Sequence, residues 1–268
     1  MSELQIAFAG LALIASLGFL TWLASLVQGD VSLVDRTWSI FITGAAAVYF
    51  ALLPTAGVRG AWMLALAAVW ALRLSLYITA RNWGHGEDRR YQEIRARNEP
   101  NFALKSLYLV FALQAVLAWT VSAPFFAAML GDGAGARPIG PLDLIGLALA
   151  AFGIVFEAIG DAQMSRFKAD PSHKGQVMDR GVWRYTRHPN YFGETCIWWG
   201  FWLVALGGAG LAGAWTIVSP ILMTVLLLKV SGVSMLEKDI GERRPAYRDY
   251  IARTNAFFPG PPRSKGST

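Results

Sequence analysis

The sequence predicts an all-α fold: a polytopic membrane bundle of about seven transmembrane helices with a cytoplasmic cap of loops and a C-terminal helix. Three observations carry that prediction. Apolar residues make up 54% of the chain and charged residues 16%, where ordinary soluble domains carry roughly 25% charged residues. Uncharged stretches recur at the ~20-residue length that a membrane-spanning helix needs. The cations crowd into alternate connections, the asymmetry by which short loops set orientation in a membrane. Disorder is excluded by the same composition, since a chain with 11 Trp and 15 Phe has ample apolar surface to bury.

The first span is 5–27, within the stretch from Leu4 to Gly29 that holds no charged residue. A signal peptide is disfavoured there, because its basic start is missing and the apolar run is too long. Six further spans follow at 37–54, 61–80, 104–130, 142–162, 191–208 and 212–230. Arg36, the cluster from Arg81 to Lys105, the cluster from Arg166 to Arg187 and the cations from Lys229 to Lys265 put 21 of the 24 Lys and Arg residues on one side. Arg59 and Arg137 fall on the other, and Arg73 lies inside the bilayer. The expected protein is therefore integral to a membrane, with its N-terminus outside and its C-terminus cytoplasmic. The net charge of +6 is then topology rather than a nucleic-acid footprint.

Three long cytoplasmic connections, 81–103, 163–190 and 231–268, contain Tyr91, Trp183, Tyr185, Tyr247 and Tyr250, which fits an ordered cap rather than a solvated linker. Residues 1–262 read as a single domain and 263–268 as a flexible tail. The lone Cys196 cannot close an internal disulfide, and His85, His173 and His188 lack zinc-ligand spacing, so no metal is expected.

Four constellations carry chemistry. In RGVWRYTRHPNYFGE, 180–194, Pro189 suits the first turn of a helix, whose free N–H groups carry partial positive charge. Arg184, Arg187 and His188 stand just before it, an arrangement suited to an anion. Asn190 and Glu194 are four apart and share a helix face. The plainer alternative is a basic anchor with an aromatic belt of Tyr191, Trp198 and Trp199. In FEAIGDAQMSRFK, 156–168, Glu157 and Asp161 also share a face, and Arg166 and Lys168 follow. Carboxylates accept from ribose hydroxyls and cations hold phosphate, while the alternative is a helix end whose charges reach the interface. In 73–100, Arg73 and Tyr77 share a face, and Arg73 needs an anionic partner, for which Asp35, Glu157 and Glu194 are available. The GHGEDRRYQEIR stretch there reads equally as a solvated loop. In 235–262, Tyr247, Tyr250 and Ile251 recur at helical spacing, as an interfacial helix or as one wall of a cofactor pocket.

The strings GEDRRYQEIRARNEPNF, SLYLVFALQAVLAW and WRYTRHPNYFGETCIWWG resemble the bacterial membrane proteins of the steroid 5-alpha-reductase C-terminal-like family, most strongly over 73–260. The resemblance implies a seven-helix bundle that takes NADPH on its cytoplasmic side and passes hydride to a C=C bond beside a carbonyl in a lipophilic substrate. Carried over, it places Asn190 and Glu194 at the nicotinamide end, Asp161 at the adenosine ribose, and Arg166 and Lys168 nearby. Arg73, Arg184, Tyr185, Arg187 and His188 join the cofactor set, and Asp35 and Tyr77 are the catalytic candidates. Two departures stand out: Trp70 replaces a tyrosine that polarises the ketone in the steroid enzymes, and their neighbouring glutamate has no counterpart beyond Asp35. RHPNYFG also resembles the isoprenylcysteine carboxyl methyltransferases, which bind S-adenosylmethionine. Their Glu-Glu pair near the C-terminus here reads Glu237-Lys238, and with GEDRRY that departure favours the reductase.

A reporter fused at Thr268 is expected to read cytoplasmic and one inserted near Gly133 periplasmic. The reversed pair of readings would invert the topology.

Overall fold

The computed structural model describes residues 1–133, 137–230, 232–237 and 240–263, so Lys238 and the expected tail from Ser264 to Thr268 lie outside the described residues. Within them the chain is helical and contains no strand. Five helical runs are long and apolar enough to cross a membrane: Glu3–Gln28, Val58–Asn82, Phe102–Leu130, Pro141–Ala169 and Pro189–Glu242. The expected second span is the 20-residue helix Leu33–Leu52, which is not among the five. The last two expected spans fall together in the run from Pro189.

Local chemistry sets the helix limits. Helix α1, Glu3–Gln28, opens on a capping box in which Ser2 and Gln5 satisfy each other's backbone N–H, and it closes at Gly29, whose φ of 65° is the left-handed turn glycine accepts. Helices α2, Leu33–Leu52, and α3, Val58–Asn82, follow. Asp88 caps α4, Arg89–Asn98, by accepting from the Arg90 N–H. The expected span at 104–130 is broken rather than continuous. It comprises α5, Phe102–Ser106, a π-helical turn at Leu107–Ala112, α6, Leu113–Val121, and α7, Ala123–Leu130. Pro124, which has no N–H to give, stands in the first turn of α7 at the break. Prolines also begin α8, Pro141–Ala169, and α9, Pro189–Ala209, the latter where the sequence placed the sixth span. A 3-10 stretch at Gly210–Ile217 leads to α10, Val218–Val225, and a π-helical turn at Leu226–Val230. Three short helices complete the order: α11, Val233–Glu237, α12, Ile240–Arg243, and α13, Ala246–Arg253.

The chain divides into two compact units, Met1–Leu147 with Phe201–Ser219, and Ala148–Gly200 with Pro220–Thr268. In the first, α1, α2 and α3 pack in sequence, α6 lies against α1 and α2, and α7 against α2 and α3. Ala45, Ala46, Ala67 and Ala118 are wholly buried, small side chains of the kind that let membrane helices approach closely. A closed ionic cluster sits in the same unit. Arg59, 1% exposed, reaches Asp143 at 2.6 Å and Asp132 at 2.5 Å and donates to the Arg137 carbonyl at 3.1 Å. Asp132 also accepts from the N–H groups of Gly57 and Gly60, and Asp143 from that of Gly140. A cation placed by sequence in a sparse loop is thus a buried hub.

In the second unit, α8 and α9 meet backbone against backbone. A Cβ at Gly193 would lie 2.7 Å from the Gly153 carbonyl and 2.9 Å from the Glu157 nitrogen. Only glycine allows this approach, and it sets the register of the two helices. Gly193→Ala is expected to cost about 1–3 kcal/mol by overpacking, read as a lower thermal midpoint in detergent. Gly18→Ala, whose methyl meets nothing nearer than 3.8 Å, should leave the midpoint in place. Arg59→Met strands two buried carboxylates, and breaking such a cluster costs about 3–5 kcal/mol; a midpoint equal to that of the unaltered protein would show that the cluster contributes nothing.

Candidate functional site

The turn between α8 and α9 is built from both sides. Trp183, in a 3-10 turn at Gly181–Arg184, donates its indole N–H to the Gly160 carbonyl at 2.9 Å, and the Val182 N–H donates to Gln163 Oε1 at 3.0 Å. These bonds dock the turn on α8. From the other side comes the C-terminal segment. Tyr250 of α13, 1% exposed, donates to the Trp183 carbonyl, and Thr186 donates to the Phe257 carbonyl at 2.8 Å. The Arg187 N–H donates to the Asn255 carbonyl at 2.9 Å and the Gly260 N–H to the Tyr185 carbonyl at 3.0 Å.

Arg187 is the centre of this arrangement. Its Nε and Nη2 each lie 2.7 Å from one oxygen of Glu237, and Nη1 donates to the carbonyls of Ile251 and Thr254. His188 Nε2 lies 2.8 Å from Glu237 Oε1, and its ring stacks on Tyr191 with centroids 5.4 Å apart. Arg187 and His188 are 7% and 5% exposed. Burial opposes the Arg187 charge, but the hydrogen bonds and charge of Glu237 outweigh it and hold the guanidinium above its ordinary pKa. Burial pushes the Tyr247 phenol up to about 12. Of the three residues expected to face an anion, then, Arg184 is exposed, as is Tyr185 beside it, while Arg187 and His188 turn inward onto a carboxylate. The aromatic-belt alternative loses Trp198, which is wholly buried.

The α8–α9 register gathers a second set. A Cβ at Gly160 would touch Pro189 and approach the Asn190 nitrogen at 3.7 Å, and Glu157 abuts Gly193. Asp161 therefore follows a residue that meets the start of α9, and Glu157 meets the residue that precedes Glu194. Glu157, Asp161 and Glu194 are 2%, 4% and 8% exposed, and none of them is without a partner. Arg166 and Lys168 are exposed on the last turn of α8.

The remaining candidates belong to the first unit. Arg73 and Tyr77 are half-buried on α3, with the Arg81 guanidinium 5.6 Å from the Tyr77 ring centre. Asp35, at the start of α2, accepts from Arg90 at 2.5 Å and from the Tyr91 hydroxyl at 2.7 Å. Glu87 forms a two-point pair with Arg95 at 2.9 and 2.8 Å and accepts from the Val31 N–H. Asp88 accepts from the Arg90 backbone and side chain. GEDRRY is thus not a solvated loop but a segment pinned to the α1–α2 turn. Burial, then the charge of Asp35, pushes the Tyr91 phenol well above its ordinary value. Sequence reasoning missed Glu237, Thr186, Gln163 and Tyr91 as polar partners; the density of charge in GEDRRY was the available signal.

Fold and site define an integral membrane protein, all helical in its described residues, whose second unit holds an Arg-His-Pro turn clamped at the start of a membrane helix. Residues 21–254 match the family described as "Protein of unknown function (DUF1295)", and the chain belongs to that family, which is the steroid 5-alpha-reductase C-terminal-like family in general. It is 27% identical to an uncharacterized protein of the fission yeast Schizosaccharomyces pombe, over 275 residues that cover 93% of this chain and 78% of the relative. No solved structure matches it.

The acid response of the first unit follows from its carboxylates. Burial raises the pKa values of Glu87 and Asp88, but Arg95 with the Val31 N–H, and Arg90, outweigh it, so both fall below their ordinary 4.5 and 3.8. A depressed carboxylate stabilises fully above its unfolded value and loses that contribution as pH falls through the folded one. The thermal midpoint in detergent is therefore expected to drop as pH falls from about 5 toward 3, and Arg95→Gln should flatten part of that drop. Identical acid profiles for the two proteins would remove Glu87 from the account.

Proposed function

We propose that this protein is a membrane-embedded, NADPH-dependent reductase of an activated C=C bond, an enone, in a lipophilic steroid- or isoprenoid-like substrate. In this reading it has seven spans and a cytoplasmic cap in a bacterial inner membrane, with its N-terminus periplasmic. The observation that carries the proposal is the seam of α8 and α9, where Gly160 meets Pro189 and Glu157 meets Gly193, so that the stretch bearing Glu157 and Asp161 packs on the first turns that bear Asn190 and Glu194. The donor set suits the cofactor. Asn190 offers a donor and an acceptor and Glu194 an acceptor, the complement of a carboxamide. Asp161 can accept from ribose hydroxyls, and Arg166, Lys168 and Arg184 are exposed cations suited to phosphates. When bound, NADPH supplies the hydride. Asp35 accepts the Tyr91 hydroxyl and an Arg90 N–H and so orders those groups. The hydroxyl of Tyr77 is then the candidate that steadies developing enolate charge.

One observation favours a second reading, an S-adenosylmethionine-dependent methyltransferase of the isoprenylcysteine carboxyl methyltransferase type. Glu237 stands where those enzymes have the first of their paired glutamates, and here it holds both Arg187 and His188.

Titrating the purified protein with NADPH and with S-adenosylmethionine, read by tryptophan fluorescence, separates the two. NADPH is expected to bind. Asn190→Ala and Glu194→Gln are expected to keep the fold, the latter because a neutral amide is cheaper than a carboxylate in the bilayer. They should slow hydride transfer by about a hundredfold, the scale of a misplaced reacting group. Full reductase activity in both variants, or S-adenosylmethionine binding with NADPH ignored, would replace the reductase reading.

A further inference from the structure

The described part of the second unit contains an arginine–histidine pair that already holds an anion, and that anion is part of the chain. Glu237 presents its carboxylate side-on to Arg187, with both Nε–Oε1 and Nη2–Oε2 at 2.7 Å, while His188 Nε2 meets Oε1 at 2.8 Å. Side-on, two-point binding is how a guanidinium takes a carboxylate or two oxygens of a phosphate. We propose that Arg187 and His188 form an anion site for a phosphate group of the cofactor, and that Glu237 is an internal competitor the phosphate must displace. The proposal rests on the reading of Arg187 and His188 as cofactor residues.

Three features separate the site from its present occupant. Arg187 is held by groups other than Glu237: Nη1 by the Ile251 and Thr254 carbonyls and its backbone N–H by the Asn255 carbonyl. His188 is braced by its stack on Tyr191 and by its N–H bond to Thr186 Oγ1. Both side chains therefore keep partners of their own when Glu237 leaves. Glu237, by contrast, ends the five-residue helix α11, which follows the π-helical turn at Leu226–Val230. Its side chain is 16% exposed against 8% for Arg187 and 6% for His188, so of the three it is the most open to solvent. A phosphate arriving from solvent replaces one charged partner with another, which spares Arg187 an unpaired buried state.

A competitor within the chain weakens apparent affinity by the fraction of molecules in which the site is free. The full-length protein in detergent is titrated with NADPH, and separately with inorganic pyrophosphate, by tryptophan fluorescence. Glu237→Gln is expected to tighten NADPH binding about tenfold, and Glu237→Asp, shorter by one methylene, to tighten it by a smaller factor. Arg187→Gln added to Glu237→Gln should remove the gain for both probes. Unchanged or weaker binding in Glu237→Gln overturns the competitor and makes Glu237 a brace. If Glu237→Gln does not fold, Glu237→Asp decides by the same criterion. If Arg187→Gln leaves NADPH affinity unaltered in both backgrounds, the failure belongs to the cofactor reading of Arg187 rather than to the competitor.

Discussion

Arg187 cannot shed its charge, so at 7% exposure its N–H groups must be met by protein. The way they are met organises the second unit. Glu237 comes from α11, the Ile251 carbonyl from α13, and the Thr254 and Asn255 carbonyls from the segment beyond it. Drawing these together lays the C-terminal segment over the turn at 183–187 and fixes the chain that leads into Pro189. From there α9 runs against α8 through Gly153 and Gly193, and that register decides which side chains of the two helices become neighbours. Remove the guanidinium and the turn, the C-terminal segment and the start of α9 lose their common point.

The same requirement is met differently at Arg59. Its two carboxylates, Asp132 and Asp143, are 8% and 1% exposed and take further hydrogen bonds from the N–H groups of Gly57, Gly60 and Gly140. Nothing in that cluster is available to a ligand, since cation and anions are held from every direction. Arg187 and His188 share a single carboxylate, the most exposed of the three groups, carried on a short helix. One buried arginine is architecture and the other has the makings of a site, although both obey the rule that a buried charge needs a partner.

Asp35 changes meaning between sequence and structure. Read alone it was a carboxylate near a membrane boundary and a catalytic candidate. In the fold it orders Arg90 and Tyr91, which are part of the segment that ties α4 to the α1–α2 turn. A carboxylate that already accepts from a cation and a phenol is tied into the packing of that segment.

The sequence by itself determined the membrane character, the helical class, the start of α9 at Pro189 and the one-face pairing of Asn190 with Glu194. Each rests on hydropathy, spacing or proline geometry within a few turns of one helix. The tertiary structure alone decided the broken helix at 102–130, the burial of Arg59 and the inward turn of Arg187 and His188. Arg59 and Asp143 are 84 residues apart, and Arg187 and Glu237 are 50 apart. No local pattern encodes such partners, because an ionic pair in an apolar medium is selected by which helices the packing brings side by side, and that choice belongs to the whole chain.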